Sequence, residues 1–147
     1  MSHTFPLDRT AVQSFLPHRD PMLFVDTIVS ADDTTILART HVNPEWDIFK
    51  GHFPGLPIMP GVLMIEATAQ AGALIVCLQG GLKADNFIAF TGVEAAKFRH
   101  SVKPGEVMDI HAEILRHRSG YYKFQGHIDV NGHRALDVKF AATQMPL

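Results

Sequence analysis

Residues 62–78 read VLMIEATAQAGALIVCL, and this stretch decides the fold. Its apolar residues leave no polar side for water, so the spacing predicts a helix that the rest of a soluble chain must wrap. The run barely reaches the minimum length for crossing a bilayer, and it carries Glu66, Thr68 and Gln70. A carboxylate near the middle of a span costs at least about 2.5 kcal/mol by insertion scales, so no membrane span is expected. Pro60-Gly61 suits the first turn, because proline tolerates a position whose N–H has no partner, and Gly80-Gly81 suits the stop. A helix of about twenty residues is a rod of about 30 Å.

Before this helix, residues 44–61 hold four prolines and three glycines, which predicts an irregular loop. Upstream, Leu7 to Leu16 reads as a short helix with Asp8 or Thr10 as its cap and Pro17 at its end. Met22 to Ser30 and Thr34 to Val42 are β-rich runs around a turn at Ala31-Asp32-Asp33. Downstream, Phe87 to Phe98 reads as a strand, followed by a turn at Lys103-Pro104-Gly105. Met108, Ile110, Ala112 and Ile114 alternate with Asp109, His111 and Glu113, which predicts a strand with one apolar face. The same holds for Tyr122, Phe124, Ile128 and Val130 and for Leu136, Val138 and Phe140, with Asn131-Gly132 as a type I′ hairpin turn. One long apolar helix and about six strands, the last three antiparallel in order, make an α+β fold with one wet face of the sheet.

The 147 residues, 46% hydrophobic and 19% charged, suffice for a single domain over 1–147 with one core. A net charge of −2 and the absence of any Lys/Arg run argue against nucleic acid as partner. Cys77 stands alone and the N-terminus lacks the charged and apolar regions of an export signal, so a cytoplasmic location is expected.

Chemistry concentrates between the loop and the helix. Prolines stiffen Gly51-His52-Phe53-Pro54-Gly55 and Pro57-Ile58-Met59-Pro60-Gly61, and glycines allow close approach of a ligand. His52 can serve as a base near neutral pH. Glu66 is an ionisable group in an apolar helix and calls for a partner or a purpose; Gln70 shares its face. A purely structural alternative pairs Glu66 with Arg99, and leaves Gln70 satisfying the carboxylate. Cys77, Met59 and Met64 read as packing. None of the nine histidines forms a His-x-x-x-His pair and no Cys-x-x-Cys occurs, so no metal is expected, nor any cofactor.

His52-Phe53-Pro54-Gly55-Leu56-Pro57-Ile58-Met59-Pro60-Gly61-Val62-Leu63, with Glu66-Ala67 and Ala69-Gln70, resembles the signature of the FabZ family of 3-hydroxyacyl-[acyl-carrier-protein] dehydratases. Leu16-Pro17-His18-Arg19, Phe24-Val25-Asp26, Ala96-Lys97-Phe98-Arg99 and Lys103-Pro104-Gly105 extend the likeness over most of the chain. The resemblance implies a hotdog fold, a curved antiparallel sheet around one central helix, which agrees with the element pattern. It implies dehydration of (3R)-3-hydroxyacyl carrier protein to the trans-2-enoyl product in fatty-acid or related lipid or polyene biosynthesis. His52 would be the base and Glu66 the acid, with Phe53, Pro60, Gly61 and Gln70 at the substrate. It further implies a homodimer with sites shared between subunits, which in this family can assemble into a trimer of dimers. An acidic carrier protein would suit Lys97, Arg99, His100 and Lys103; the plainer reading of those residues is a solvated strand edge. Asp20 and Trp46 depart from the family pattern. A hotdog thioesterase, or a non-catalytic acyl-binding subunit, is the alternative.

Overall fold

The computed structural model describes residues 3–83 and 85–147. Helix α1 (Arg9–Phe15) starts at Asp8, whose carboxylate accepts from the Ala11 N–H as an N-cap. Strands β1 (Thr27–Ala31) and β2 (Thr35–His41) follow, and the turn between them is closed by the Asp32 carboxylate accepting from the N–H groups of Thr34 and Thr35. A short α2 (Ile48–Gly51) interrupts the proline-rich loop, and α3 (Gly61–Leu78) is the central helix. Then come β3 (Asn86–Phe98), β4 (Val107–Arg118), β5 (Tyr121–Val130) and β6 (His133–Pro146).

The six strands form one antiparallel sheet in the order β1-β2-β4-β5-β6-β3, so the hairpins β4-β5-β6 run in sequence while β3 crosses to the far edge. Asn131 and Gly132 both have positive φ (52° and 79°), which is the expected type I′ turn. Ser119 and Gly120 turn the preceding hairpin in the same way (49° and 82°), which lengthens β4 and β5 beyond their alternating cores.

Period-two burial is plain in β5, where Tyr122, Phe124, Gly126, Ile128 and Val130 face inward and Lys123, Gln125, His127 and Asp129 do not. Phe124 and Phe140 stack at 5.0 Å, and these with Met108, Ile110, Ile128 and Leu136 form the sheet's half of the core. Helix α3 supplies the other half through Ala67, Ala71, Leu74, Ile75 and Val76. By length and composition α3 qualifies as a bilayer span, but 67% of it is buried inside the fold. A Cβ on Gly126 would stand 2.4 Å from Thr68 Cγ2 and 2.7 Å from the His111 carbonyl oxygen, so only a glycine lets α3 lie this close to β5.

Two expectations need correction. The strand expected from Met22 begins only at Thr27, because Met22 and Phe24 give backbone groups to the Gln70 side chain rather than to a neighbouring strand. The loop over 44–61 contains α2, where Trp46 stacks on Phe49 at 6.2 Å and meets Phe24 edge-on at 5.6 Å. Trp46 is thus a partly buried prop beneath the loop, and Asp20 pairs with Arg9 at 2.6 Å on the surface. Cys77 packs as expected, and burial pushes its thiol up to about 12.

Candidate active site

His52 closes α2 as its C-cap, its N–H bonded to the Ile48 carbonyl at 2.9 Å. The chain then doubles back: the Phe53 and Leu56 backbones bond to each other, and the Ile58 N–H donates to the His52 carbonyl at 3.0 Å. This loop puts the Ile58 carbonyl 2.9 Å from His52 Nδ1. A carbonyl only accepts, so Nδ1 carries the hydrogen of this contact, and in the neutral imidazole the lone pair then lies on Nε2. The Phe53 ring stacks on the imidazole at 4.0 Å and is itself 46% exposed, so an apolar surface lies beside the base.

Pro60 is the N-cap of α3, and its carbonyl accepts from the Leu63 and Met64 N–H groups. Gly61 and Val62 precede these, and no carbonyl within the helix can reach their N–H groups. The side of Gly61 where a Cβ would stand is taken by the Phe98 ring, at 2.6 Å and 2.8 Å from two of its carbons. The room expected at Gly61 for a ligand is therefore filled on that side by an aromatic ring that is 54% exposed.

Glu66 lies one turn into α3 and keeps 23% of its side chain exposed. It does not meet Arg99, which pairs with Asp137 at 2.6 Å on the sheet surface. Burial favours the neutral Asp137 carboxyl, but the Arg99 and Arg134 guanidiniums outweigh it and hold the group below its usual range. The actual neighbours of Glu66 are Gln70 Nε2 at 2.9 Å and His18 Nε2 at 3.4 Å, both on its Oε2. Gln70 is buried to 1% exposure; its Oε1 accepts from the Phe24 N–H at 2.9 Å and its Nε2 also donates to the Met22 carbonyl at 2.7 Å. One amide thus fixes the carboxylate and the segment leading into β1. We expect Gln70→Leu to cost roughly 2 kcal/mol in urea unfolding, since it leaves two backbone groups unpaired, and to raise the mobility of Glu66.

His18 was legible only through its place in the Pro17-His18-Arg19 stretch. Arg19 anchors that stretch by donating to the Leu16, His18 and Gln13 carbonyls. Among the described residues no hydrogen bond joins His52 to Glu66 within one chain. Lys97, Arg99, His100 and Lys103 are all exposed, but Arg99 is held by Asp137, which leaves Lys97, His100 and Lys103 as the freer part of that patch.

The fold and these residues define a hotdog protein in which a loop histidine with a free Nε2 and a helix carboxylate held by an amide are the candidate reactive groups. The FabA-like domain family matches residues 16–139. A 3-hydroxyacyl-[acyl-carrier-protein] dehydratase FabZ of Janthinobacterium sp. (strain Marseille) is 39% identical over 142 residues, covering 93% of this chain and 90% of the relative. The FabZ of Rickettsia akari is 39% identical over 137 residues, covering 92% and 94%. Among solved structures, the dehydratase heterocomplex ApeI:P of Xenorhabdus doucetiae has a chain matching at TM-score 0.79 and 20% identity, over 97% of this chain and 93% of that one. Thioesterase HI1161 of Haemophilus influenzae matches at TM-score 0.60 and 14% identity, over 82% and 78%, so the same fold is shared by a different chemistry. The chain belongs to the FabA-like family, and within it to the FabZ type.

Proposed function

We propose that this protein removes water from (3R)-3-hydroxyacyl groups carried on acyl carrier protein, giving the trans-2-enoyl thioester. The observation that carries the reading is the contact of His52 Nδ1 with the Ile58 carbonyl, which in the neutral imidazole leaves Nε2 as an acceptor, together with Glu66 held by Gln70. His52 Nε2 takes the proton from C2, the C2–C3 double bond forms as the C3–O bond breaks, and Glu66 gives its proton to the departing hydroxyl. Return of the proton from His52 to Glu66 through solvent resets the site. The N–H groups of Gly61 and Val62 and the positive end of the α3 dipole suit the thioester oxygen as charge develops there.

The site is completed in a homodimer. β3 is an edge strand, paired to β6 on one side and open on the other, and its residues from Phe90 to Ala95 are all exposed, including Phe90 at 40% and Val93 at 48%. Such an edge is a template for pairing with a second copy. Pairing there would let His52 of one subunit face Glu66 of the other, in keeping with the missing contact within one chain. Lys97, Lys103 and His100 then offer the acidic carrier protein a basic rim, and the cytoplasm supplies both carrier and substrate.

The test is incubation with 3-hydroxyacyl carrier proteins of several chain lengths, followed by mass analysis. Loss of water from at least one of them is expected. Release of free thiol without enoyl product, or no change at any length, would overturn the assignment.

A further inference from the structure

On the sheet face turned away from α3, register brings one group of β4 against two groups of β5. His111 on β4 stands directly opposite His127 on β5, and the two-residue period of β5 puts Asp129 on the same face. The two imidazoles stack at 4.2 Å with an interplanar angle of 16°. Asp129 Oδ2 lies 3.5 Å from His127 Nε2 and 3.8 Å from His111 Nε2. One nitrogen or oxygen of each residue falls within 4.8 Å of the other two, and this is the one such group of three among the described residues.

From this convergence we propose that His111, His127 and Asp129 bind a divalent cation of the zinc type, with a further coordination position open to the surrounding groove. At 3.5 and 3.8 Å neither histidine makes a well-formed hydrogen bond to the carboxylate, so the cluster is not satisfied by its own members. Tetrahedral zinc with bonds of about 2.0–2.2 Å holds neighbouring ligand atoms about 3.3 Å apart, within reach of a small side-chain rotation. Two imidazoles and one carboxylate are a donor set suited to zinc and its neighbours in the first transition row.

The surroundings favour the same reading. Arg134 Nε holds Asp129 Oδ1 at 2.8 Å and leaves Oδ2 for the cation, and Arg134 Nη1 is itself tied to Asp137 at 2.7 Å. Such outer contacts orient a ligating carboxylate. His111 and His127 line a groove of about 830 Å³ that also contains Glu113, Gln125 and Lys139. Neither His52 nor Glu66 lines it, so the cation site is separate from the dehydratase reading and stands or falls without it.

The experiment is calorimetric titration of the untagged, chelator-treated protein with zinc chloride, with circular dichroism to verify folding of every variant. One zinc per chain at low-micromolar affinity or tighter is expected, weakened tenfold or more by each of His127→Gln, His111→Gln and Asp129→Asn. The Asp129→Asn change is nearly isosteric and keeps the test open should a histidine variant fail to fold. His100→Gln serves as the control, since His100 and His133 also stack, at 4.8 Å, but belong to no group of three. No saturable binding in the wild type, a loss under tenfold in the folded cluster variants, or an equal loss in His100→Gln would overturn the proposal.

Discussion

Glu66→Gln is expected to lower dehydration by about 10²–10⁴-fold while leaving the unfolding midpoint nearly unchanged, the usual worth of one positioned acid or base. The substituted amide is close in shape and still meets Gln70, so the helix and the segment from Met22 to Phe24 keep their contacts. What is lost is the proton that leaves with the hydroxyl. Steady-state assay with 3-hydroxyacyl carrier protein checks this, and near-native turnover would remove Glu66 from the mechanism. His52→Ala should be equally inactive. Mixing the two inactive variants under conditions where subunits exchange then tests whether sites are shared: random pairing restores one complete site in each mixed dimer, or about a quarter of wild-type activity. No recovery after demonstrated exchange would mean that both groups come from one chain.

Gly126→Ala is expected to be the most destabilising glycine-to-alanine change among the described glycines. The added Cβ would meet Thr68 Cγ2 at 2.4 Å and the His111 carbonyl oxygen at 2.7 Å. Thr68 is fully buried and its hydroxyl is bonded to the Met64 carbonyl at 2.9 Å, so it has no free rotamer to retreat to. The other obstacle is backbone of the neighbouring strand, which can move only if the β4–β5 ladder opens. Overpacking of this kind costs typically 1–3 kcal/mol, and with backbone involved we expect about 3. For a domain of this length that is a fall in melting temperature of roughly 6–12 °C by calorimetry. A change under about 2 °C would show that α3 can lift from the sheet without loss.

Much of this architecture was legible in the chain. The apolar run after Pro60-Gly61 could only be a wrapped helix, and the alternation through β4, β5 and β6 with Asn131-Gly132 between the last two fixed three neighbouring strands. His52 and Glu66 stood out because a histidine in a proline-stiffened loop and a carboxylate in an apolar helix are each out of keeping with their surroundings. Less was legible where side chains replace backbone partners. Met22 to Asp26 has the composition of a strand, but Gln70 takes its hydrogen bonds, and nothing in a local pattern marks an amide 46 residues away as the partner of Phe24. Arg99 looked like the mate of Glu66 on charge alone, whereas the β3–β6 register sets it beside Asp137.

The sequence by itself therefore determined the central helix and the antiparallel strands and pointed to the two candidate reactive residues, because each rests on periodicity or on a residue at odds with its neighbours. Only the tertiary structure decided which nitrogen of His52 faces the Ile58 carbonyl, that His18 rather than Arg99 joins Gln70 at Glu66, why Gly126 must be glycine, and that His111, His127 and Asp129 converge. Gly126 against Thr68 and His111 against His127 are contacts between residues remote along the chain, and the His52 and Glu66 contacts depend on how the loop folds back and which partners the helix meets, so all of them exist only once the strand register and the seating of loop and helix are fixed.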